Sequence, residues 1–188
     1  IAGRNALKVS ADNIRNMGGQ MSADTLALQA KQDINNVGGT LQAQSAALLT
    51  AGRDINLTTT TSSSSVIASE ARQSTNSFAQ TGIDRVAGLY VTGSAGVLLA
   101  SAGRDLQLTA AAVSNAGTGP TVLAAGNNLN LSTVTTSSSQ NIVWDANNRL
   151  SQSQSQDVGS QISAAGNLTL SAGQDVNAKA ASVNAGQA

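Results

Sequence analysis

A short pattern recurs along this chain and restricts its fold more than any single residue does. LALQAKQDINN (26–36), ALLTAGRDINL (47–57), LLASAGRDLQL (98–108), TVLAAGNNLNL (121–131) and LTLSAGQDVNA (168–178) align without gaps, and LKVSADNIRN (7–16) joins them with one residue missing. Each reads apolar-x-apolar-x-Ala, then a turn of Gly and polar residues, then Asp or Asn before apolar-x-apolar or a close variant. Period-two alternation on both sides of a short turn describes two short strands set at an angle, each with one buried face. Helical spacing is missing, because Leu26, Leu28 and Ala30 alternate by two. A third strand follows, where NMGGQMSA (16–23) matches NVGGTLQA (36–43) twenty residues later. Three strands and three turns make one coil of a parallel β-helix, so the expected fold is all-β: a solenoid with coils of about 20 residues.

A longer period is superimposed. The turn residues Asn13, Asp33, Asp54, Asp105, Asn128 and Asp175 are separated by 20, 21, 51, 23 and 47 positions. Both long intervals open on the same kind of tract, TTTTSSSS (58–65) and STVTTSSS (132–139), offset by 74. Each long interval therefore holds one coil plus an excursion, expected at about 58–95 and about 132–163. A Thr/Ser run alone reads as a linker, but Thr favours extended backbone and the run recurs at the same rung. The excursions are expected to be strands that continue outward from the helix.

Stacking follows from burial. A single coil cannot hide its inward Leu, Ile and Val, whereas coils stacked at about 4.8 Å bury them against like neighbours and pair every strand above and below. Six to eight coils would make a rod on the order of 30–40 Å long. Glycine at the corners is expected to supply positive φ. The Asp or Asn after it is expected to bond the turn's own N–H groups. Outward Asn, Gln, Thr and Ser can form polar ladders between coils.

Composition agrees and removes several function classes. Apolar residues make up 40% of the 188, yet aromatics only 2%, with one each of Phe, Tyr and Trp. That suits many thin layers built from Ala, Leu, Val and Ile rather than one thick core. Ten basic and ten acidic residues are spread along the chain, so no basic stripe exists to grip nucleic acid. Cysteine and histidine are absent, which excludes disulfides and thiolate or imidazole metal sites. No stretch is long and apolar enough to cross a bilayer as a helix. Both ends fall inside repeat units, so a fragment of a longer chain is expected.

The rungs AGRDINL, AGRDLQL and AGNNLNL, the NxGGxLxA step, and the Ser/Thr tracts after the rung together resemble the haemagglutinin repeats of filamentous haemagglutinin. Contact-dependent growth inhibition exoproteins share these repeats. The resemblance covers nearly the whole chain, least well at 66–92 and 140–160. It implies a right-handed β-helix, export through an outer-membrane two-partner secretion transporter, and a monomeric filament displayed at the bacterial cell surface. The tract after the rung resembles the distal repeat region. That implies delivery of a C-terminal toxin to neighbouring cells, with adhesion to host or other cells as the alternative.

The recurring acids Asp33, Asp54, Asp105 and Asp175 invite a catalytic reading, since some β-helix proteins degrade polysaccharides. Asn13 and Asn128 take the same place, however, and an amide cannot replace a catalytic base. A turn role is expected for all six, with no cofactor. The Gly/Asp nonapeptide of calcium-binding β-helices is missing, so no metal is expected. Phe78, Tyr90 and Trp144 lie outside the rung, in or beside the excursions, together with Glu70, Arg72, Asp84, Arg85, Asp145 and Arg149. Two roles stand open for the aromatics: packing of the excursion on the shaft, or a contact surface for a target-cell or host partner.

Overall fold

A computed structural model describes residues 1–69, 75–145 and 147–186. The chain winds into six stacked coils, each carrying three short strands on three faces. β1 (Ala6–Ala11), β2 (Ile14–Met17) and the first part of β3 (Gln20–Ala30) make coil 1. The rest of β3, β4 (Ile34–Val37) and the start of β5 (Thr40–Ala51) make coil 2. Coil 3 continues with β5 and β6 (Ile55–Thr58), leaves the stack through β7 (Thr60–Ser69) and β8 (Thr75–Arg85), and closes on β9 (Gly88–Val91). Coil 4 is uninterrupted: β10 (Val97–Ala102), β11 (Leu106–Thr109) and β12 (Ala112–Asn115). Coil 5 holds β13 (Thr121–Ala125) and β14 (Leu129–Ser132), departs through β15 (Val134–Val143) and β16 (Arg149–Val158), and returns on β17 (Gln161–Ala164). Coil 6 has β18 (Leu168–Ala172), β19 (Val176–Ala178) and β20 (Ser182–Ala185).

All strands within the stack pair in parallel and in coil order, as in β2-β4-β6-β11-β14-β19. Register carries like residues into columns. Ile14, Ile34, Ile55, Leu106, Leu129 and Val176 form one inward column, and Ala11, Ala30, Ala51, Ala102, Ala125 and Ala172 form another. The alanines stand beside the corner, where the chain leaves little volume. Outward side chains form the expected ladders: Asn56 Nδ2 donates to Asn35 Oδ1 at 2.9 Å, and Asn177 Nδ2 to Asn130 Oδ1 at 3.1 Å.

The rung glycines have a different purpose from the expected one. Among the described glycines only Gly18 and Gly38 have positive φ, at 63° and 57°. Gly52, Gly103, Gly126 and Gly173 stack directly over one another, and the carbonyl oxygen of the coil beneath fills the place of a Cβ. Close backbone approach, not backbone handedness, excludes a side chain at that corner.

Positive φ belongs to the opposite corner, between the second and third strands. Coils 1 and 2 turn there on Gly18 and Gly38, coils 4 and 6 on Ala110 (φ 47°) and Ala180 (φ 46°), and coils 3 and 5 depart into hairpins. An exposed alanine held at positive φ is strained. Ala180→Gly is therefore expected to stabilise the protein by about 0.5–1 kcal/mol, seen as a rise in the urea midpoint at unchanged m-value.

The excursions are tighter than the sequence suggested. The hairpins occupy 60–85 and 134–158, because Thr58 and Ser132 end strands of the stack and residues 88–91 and 161–164 are strands of it again. Both Ser/Thr tracts are strands. The roots are closed by buried hydroxyls: Thr59 Oγ1 donates to the Ala110 carbonyl at 2.6 Å and accepts from Ala87 N–H at 3.0 Å. Ser160 Oγ does the same with the Leu108 carbonyl and Ala111 N–H, at 2.8 and 3.1 Å. They satisfy backbone groups that the departing chain leaves without strand partners.

Candidate functional site

The six turn residues stand in one column at the rung corner. The side chains of the first five bond the coil above rather than their own turn. Asn13 Oδ1 accepts from Asp33 N–H at 3.3 Å, Asp33 from Asp54 at 3.3 Å, and Asp54 from Asp105 at 3.2 Å. Asp105 accepts from Asn128 at 3.1 Å and Asn128 from Asp175 at 3.3 Å. This explains why acid and amide interchange: the ladder needs one short side chain with an acceptor oxygen, and both supply it. Where a coil offers Arg one position earlier, the guanidinium reaches down to the acid below. Arg53 Nε donates to Asp33 Oδ1 at 2.7 Å and Arg104 Nε to Asp54 Oδ1 at 2.8 Å, each with a second bond through Nη2.

The Arg53 hydrogen bond, aided by the Asp54 N–H, holds the Asp33 carboxyl below the usual carboxylate range. At the root of the second hairpin, Lys179 and then Thr135 do the same for Asp157, with Lys179 Nζ at 2.7 Å from its carboxylate. A depressed folded-state pKa stabilises the protein above the ordinary carboxylate range, and that stability is lost as pH falls. The urea midpoint is therefore expected to hold steady above about pH 5 and to decline below about pH 4. Arg53→Gln should lower the midpoint at neutral pH and shrink the acid-induced decline.

The second candidate lies off the shaft. β7 pairs with β8, β15 with β16, and β8 with β15, all antiparallel, so two hairpins from coils 3 and 5 form one four-stranded sheet. It projects as a blade with both faces largely open to solvent. Register sorts its side chains. One face carries Ser63, Ser65, Thr81, Ser137, Ser139, Ser153 and Ser155 around Ala79, flat and small at its centre, with Ile83 toward the shaft and Ile67 toward the tip. The other carries Gln80 and Gln154 nearer the shaft, then Val66, Phe78, Gln140 and Gln152 in one row across the sheet, and Ile142 and Leu150 toward the tip. A shallow groove of about 330 Å³ runs between Val66, Phe78 and the glutamines.

The sequence candidates therefore separate. Phe78 sits mid-blade at 44% exposure and Trp144 at the tip of the second hairpin at 58%. Neither pins the blade to the shaft. Tyr90 is elsewhere: it lies on β9 of coil 3, its ring over Gly88. Asp145 organises the tip, accepting from Asn147 N–H at 2.8 Å, Asn148 N–H at 2.9 Å and Asn148 Nδ2 at 2.7 Å. The Asn148 side chain first, then these backbone bonds, hold its carboxyl below the usual range. Arg85 Nη1 folds back to the Gly18 carbonyl at 3.0 Å, and Asp84 accepts from Thr60 Oγ1 at 3.2 Å. Arg149 opens β16, and Glu70 and Arg72 lie outside the described residues. Val66 and Leu150, exposed by 61% and 41%, went unnoticed in the sequence. Alternation gave their faces within each strand, but only pairing sets Val66 opposite Phe78 and Leu150 opposite Ile142 on the same face.

Residues 142–188 match the hemagglutinin repeat family. That is the family whose rung and tract the sequence resembles. The matched hemagglutinin repeat takes in β16 of the blade, the β17 return and all of coil 6. No curated protein and no solved structure matches the chain. Among the described residues, no three Asp or Glu side chains gather into a group that could hold a metal ion. The acids are spread along the stack instead of facing a common substrate position.

Proposed function

We propose that this segment is a length of shaft in a large secreted bacterial surface exoprotein, a right-handed β-helix from its distal repeat region, serving delivery of a C-terminal toxin to neighbouring cells. Proteins bearing hemagglutinin repeats are typically secreted or surface-exposed. The observation that carries the reading is the blade. Residues 60–69, 75–85, 134–143 and 149–158 add nothing to the inward columns of the stack, yet they form a four-stranded sheet held clear of it. A stack with such a blade is a spacer that presents a surface, and the tract strands that build the blade are the feature resembling the distal region. Export through an outer-membrane two-partner secretion transporter suits a chain with no cysteine, because no crosslink would have to be avoided on the way. No catalytic role or cofactor enters this reading.

Adhesion is the second reading, favoured by one observation. Val66, Ile67, Phe78, Ile83, Leu150 and Trp144 are exposed apolar side chains on a largely polar blade, the composition of an interface anchor. The full-length protein separates the two readings when residues 60–85 and 134–158 are each replaced by the two-alanine corner of coil 4. Secretion and target-cell binding are expected to persist, while growth inhibition of neighbouring cells falls by about tenfold or more. Loss of binding together with inhibition would replace delivery by adhesion. Unchanged inhibition would remove the blade from function altogether.

A further inference from the structure

The two hairpins are copies of one another at a fixed offset. Ser65 pairs with Ala79 and Ser139 with Ser153; Thr61 pairs with Ile83 and Thr135 with Asp157. From Thr61 outward every paired position moves by 74. The second hairpin then joins the first by laying residues 137–141 of β15 along residues 77–81 of β8. The join has a geometric cause. Strands within a sheet and coils within a β-helix share one spacing of about 4.8 Å, so a two-stranded hairpin is as wide as two coils. A hairpin on every second coil therefore builds a rib along the shaft with no gap and no overlap. Coil 4, between the two departures, turns on Ala110 with no hairpin, and coil 6 turns on Ala180 in the same way. Coil 6 thus stands to the second hairpin as coil 4 stands to the first.

The difference is at the edge. β8 has β15 beside it, whereas β16 ends the sheet. The residues of β16 equivalent to 77–81 are 151–155, Ser-Gln-Ser-Gln-Ser, and all are exposed. They contain no charge, proline or bulge, the devices that ordinarily keep a free edge from pairing. Nearer the shaft the strand is held by Lys179 of coil 6 through Asp157, so the edge is presented in a fixed position.

We propose that the outer edge of β16, over residues 151–155, is an acceptor site for one further antiparallel strand, a neutral Ser/Thr-rich tract like that of β15. The tract serine equivalent to Ser139 comes to lie opposite Ser153. Such a strand is recognised by main-chain hydrogen bonds, with small side chains allowing close approach on the flat face. A folded second copy stacked on the same axis cannot supply it. Bringing its β7 alongside β16 puts its coil 3 two places beyond coil 5, and its own coils 1 and 2 would then occupy the space of coils 5 and 6. The occupant is therefore an extended tract strand whose coils do not overlap these.

The chain has no cysteine, so single introduced thiols report the register without interference. Ser151→Cys, Ser153→Cys and Ser155→Cys variants of the chain are each mixed with a synthetic peptide of residues 132–143 carrying Ser139→Cys in a buffer of reduced and oxidised glutathione, whose disulfide is the oxidant, and mixed-disulfide formation is followed by mass spectrometry. Directly opposed Cβ atoms lie about 4.5–5.5 Å apart and diagonal ones about 7–8 Å, so bonding discriminates between them. The Ser153→Cys chain is expected to capture the peptide about tenfold faster than the Ser151→Cys or Ser155→Cys chain, and about tenfold faster than it captures a scrambled peptide. The double variant Ala79→Cys/Ser139→Cys, which the blade already pairs, should close its internal disulfide and so shows that the blade is assembled. Equal capture at all three positions would overturn the proposal. So would failure of the internal pair to close. Faster self-linking of the Ser153→Cys chain without peptide would overturn it too, assigning the edge to a second copy in some other arrangement.

Discussion

Gly103→Ala is expected to lower the stability of the stack by about 3 kcal/mol or more, against a change within about 0.5 kcal/mol for Gly82→Ala. The two glycines differ in what a methyl group would meet. At Gly82, on β8 of the blade, nothing lies within 4 Å. At Gly103 the carbonyl oxygen of Gly52 on the coil beneath already fills the position. That oxygen belongs to backbone and cannot rotate away. Relief would have to come from lifting coil 4, and the bonds that set its height are Gly103 N–H to Ala51 at 2.9 Å and Arg104 N–H to Arg53 at 2.8 Å. Gly126 is seated on Gly103 in the same way, so the disturbance passes upward. Urea unfolding of both variants beside the parent measures the contrast. Similar midpoints for the two would show that close stacking is not what the rung glycine supplies.

Asn36→Leu is expected to cost about 1–3 kcal/mol, although it replaces a buried polar side chain with an apolar one of similar size. Its column runs Asn16, Asn36, Leu57, Leu108 and Leu131, so a leucine there would meet Leu57. The loss is in hydrogen bonding. Asn36 Nδ2 donates to the Gly39 carbonyl at 2.7 Å and its Oδ1 accepts from Asn16 Nδ2 at 2.8 Å, both in the interior. Asn16 closes the Gly19 carbonyl in the same way at 2.9 Å. These amides satisfy the carbonyls of the Gly-Gly corner that coils 1 and 2 use in place of a hairpin. Removing Asn36 leaves the Gly39 carbonyl with Gly88 N–H alone and Asn16 Nδ2 with the Gly19 carbonyl alone, so two buried bonds are lost. Asn16→Leu alone should cost less, because Asn36 keeps its bond to Gly39. The double variant should fall short of the sum by about 1 kcal/mol, since the Asn16–Asn36 bond is lost only once. An additive result would mean that the two amides act independently.

The same contrast between local and cross-coil information runs through the rest of the molecule. Strands at Leu26 to Ala30 and Leu98 to Ala102, the turn between paired strands, and the extended state of the Ser/Thr tracts follow from alternation and side-chain shape within a few residues. The 74-residue offset was legible too, as repetition. The work done by Asp33 and Gly103 was not. One looked like a residue bonding its own turn and the other like a source of positive φ, because those are what Asp and Gly do in an isolated turn. In the stack each acts on the chain about one coil away, a contact absent from any single coil.

Sequence alone therefore determined the coil: its length, its three strands, which residues face inward, and where it is interrupted. Tertiary structure decided what the interruptions become. Two hairpins nearly fifty residues apart join through register between β8 and β15, and that pairing sets Val66, Phe78, Ile142 and Leu150 on one face and leaves the edge of β16 open. Alternation assigns each side chain to a face of its own strand but says nothing about which strand lies beside it. The neighbour is chosen by the equality of strand spacing and coil spacing, which exists only once the stack is built.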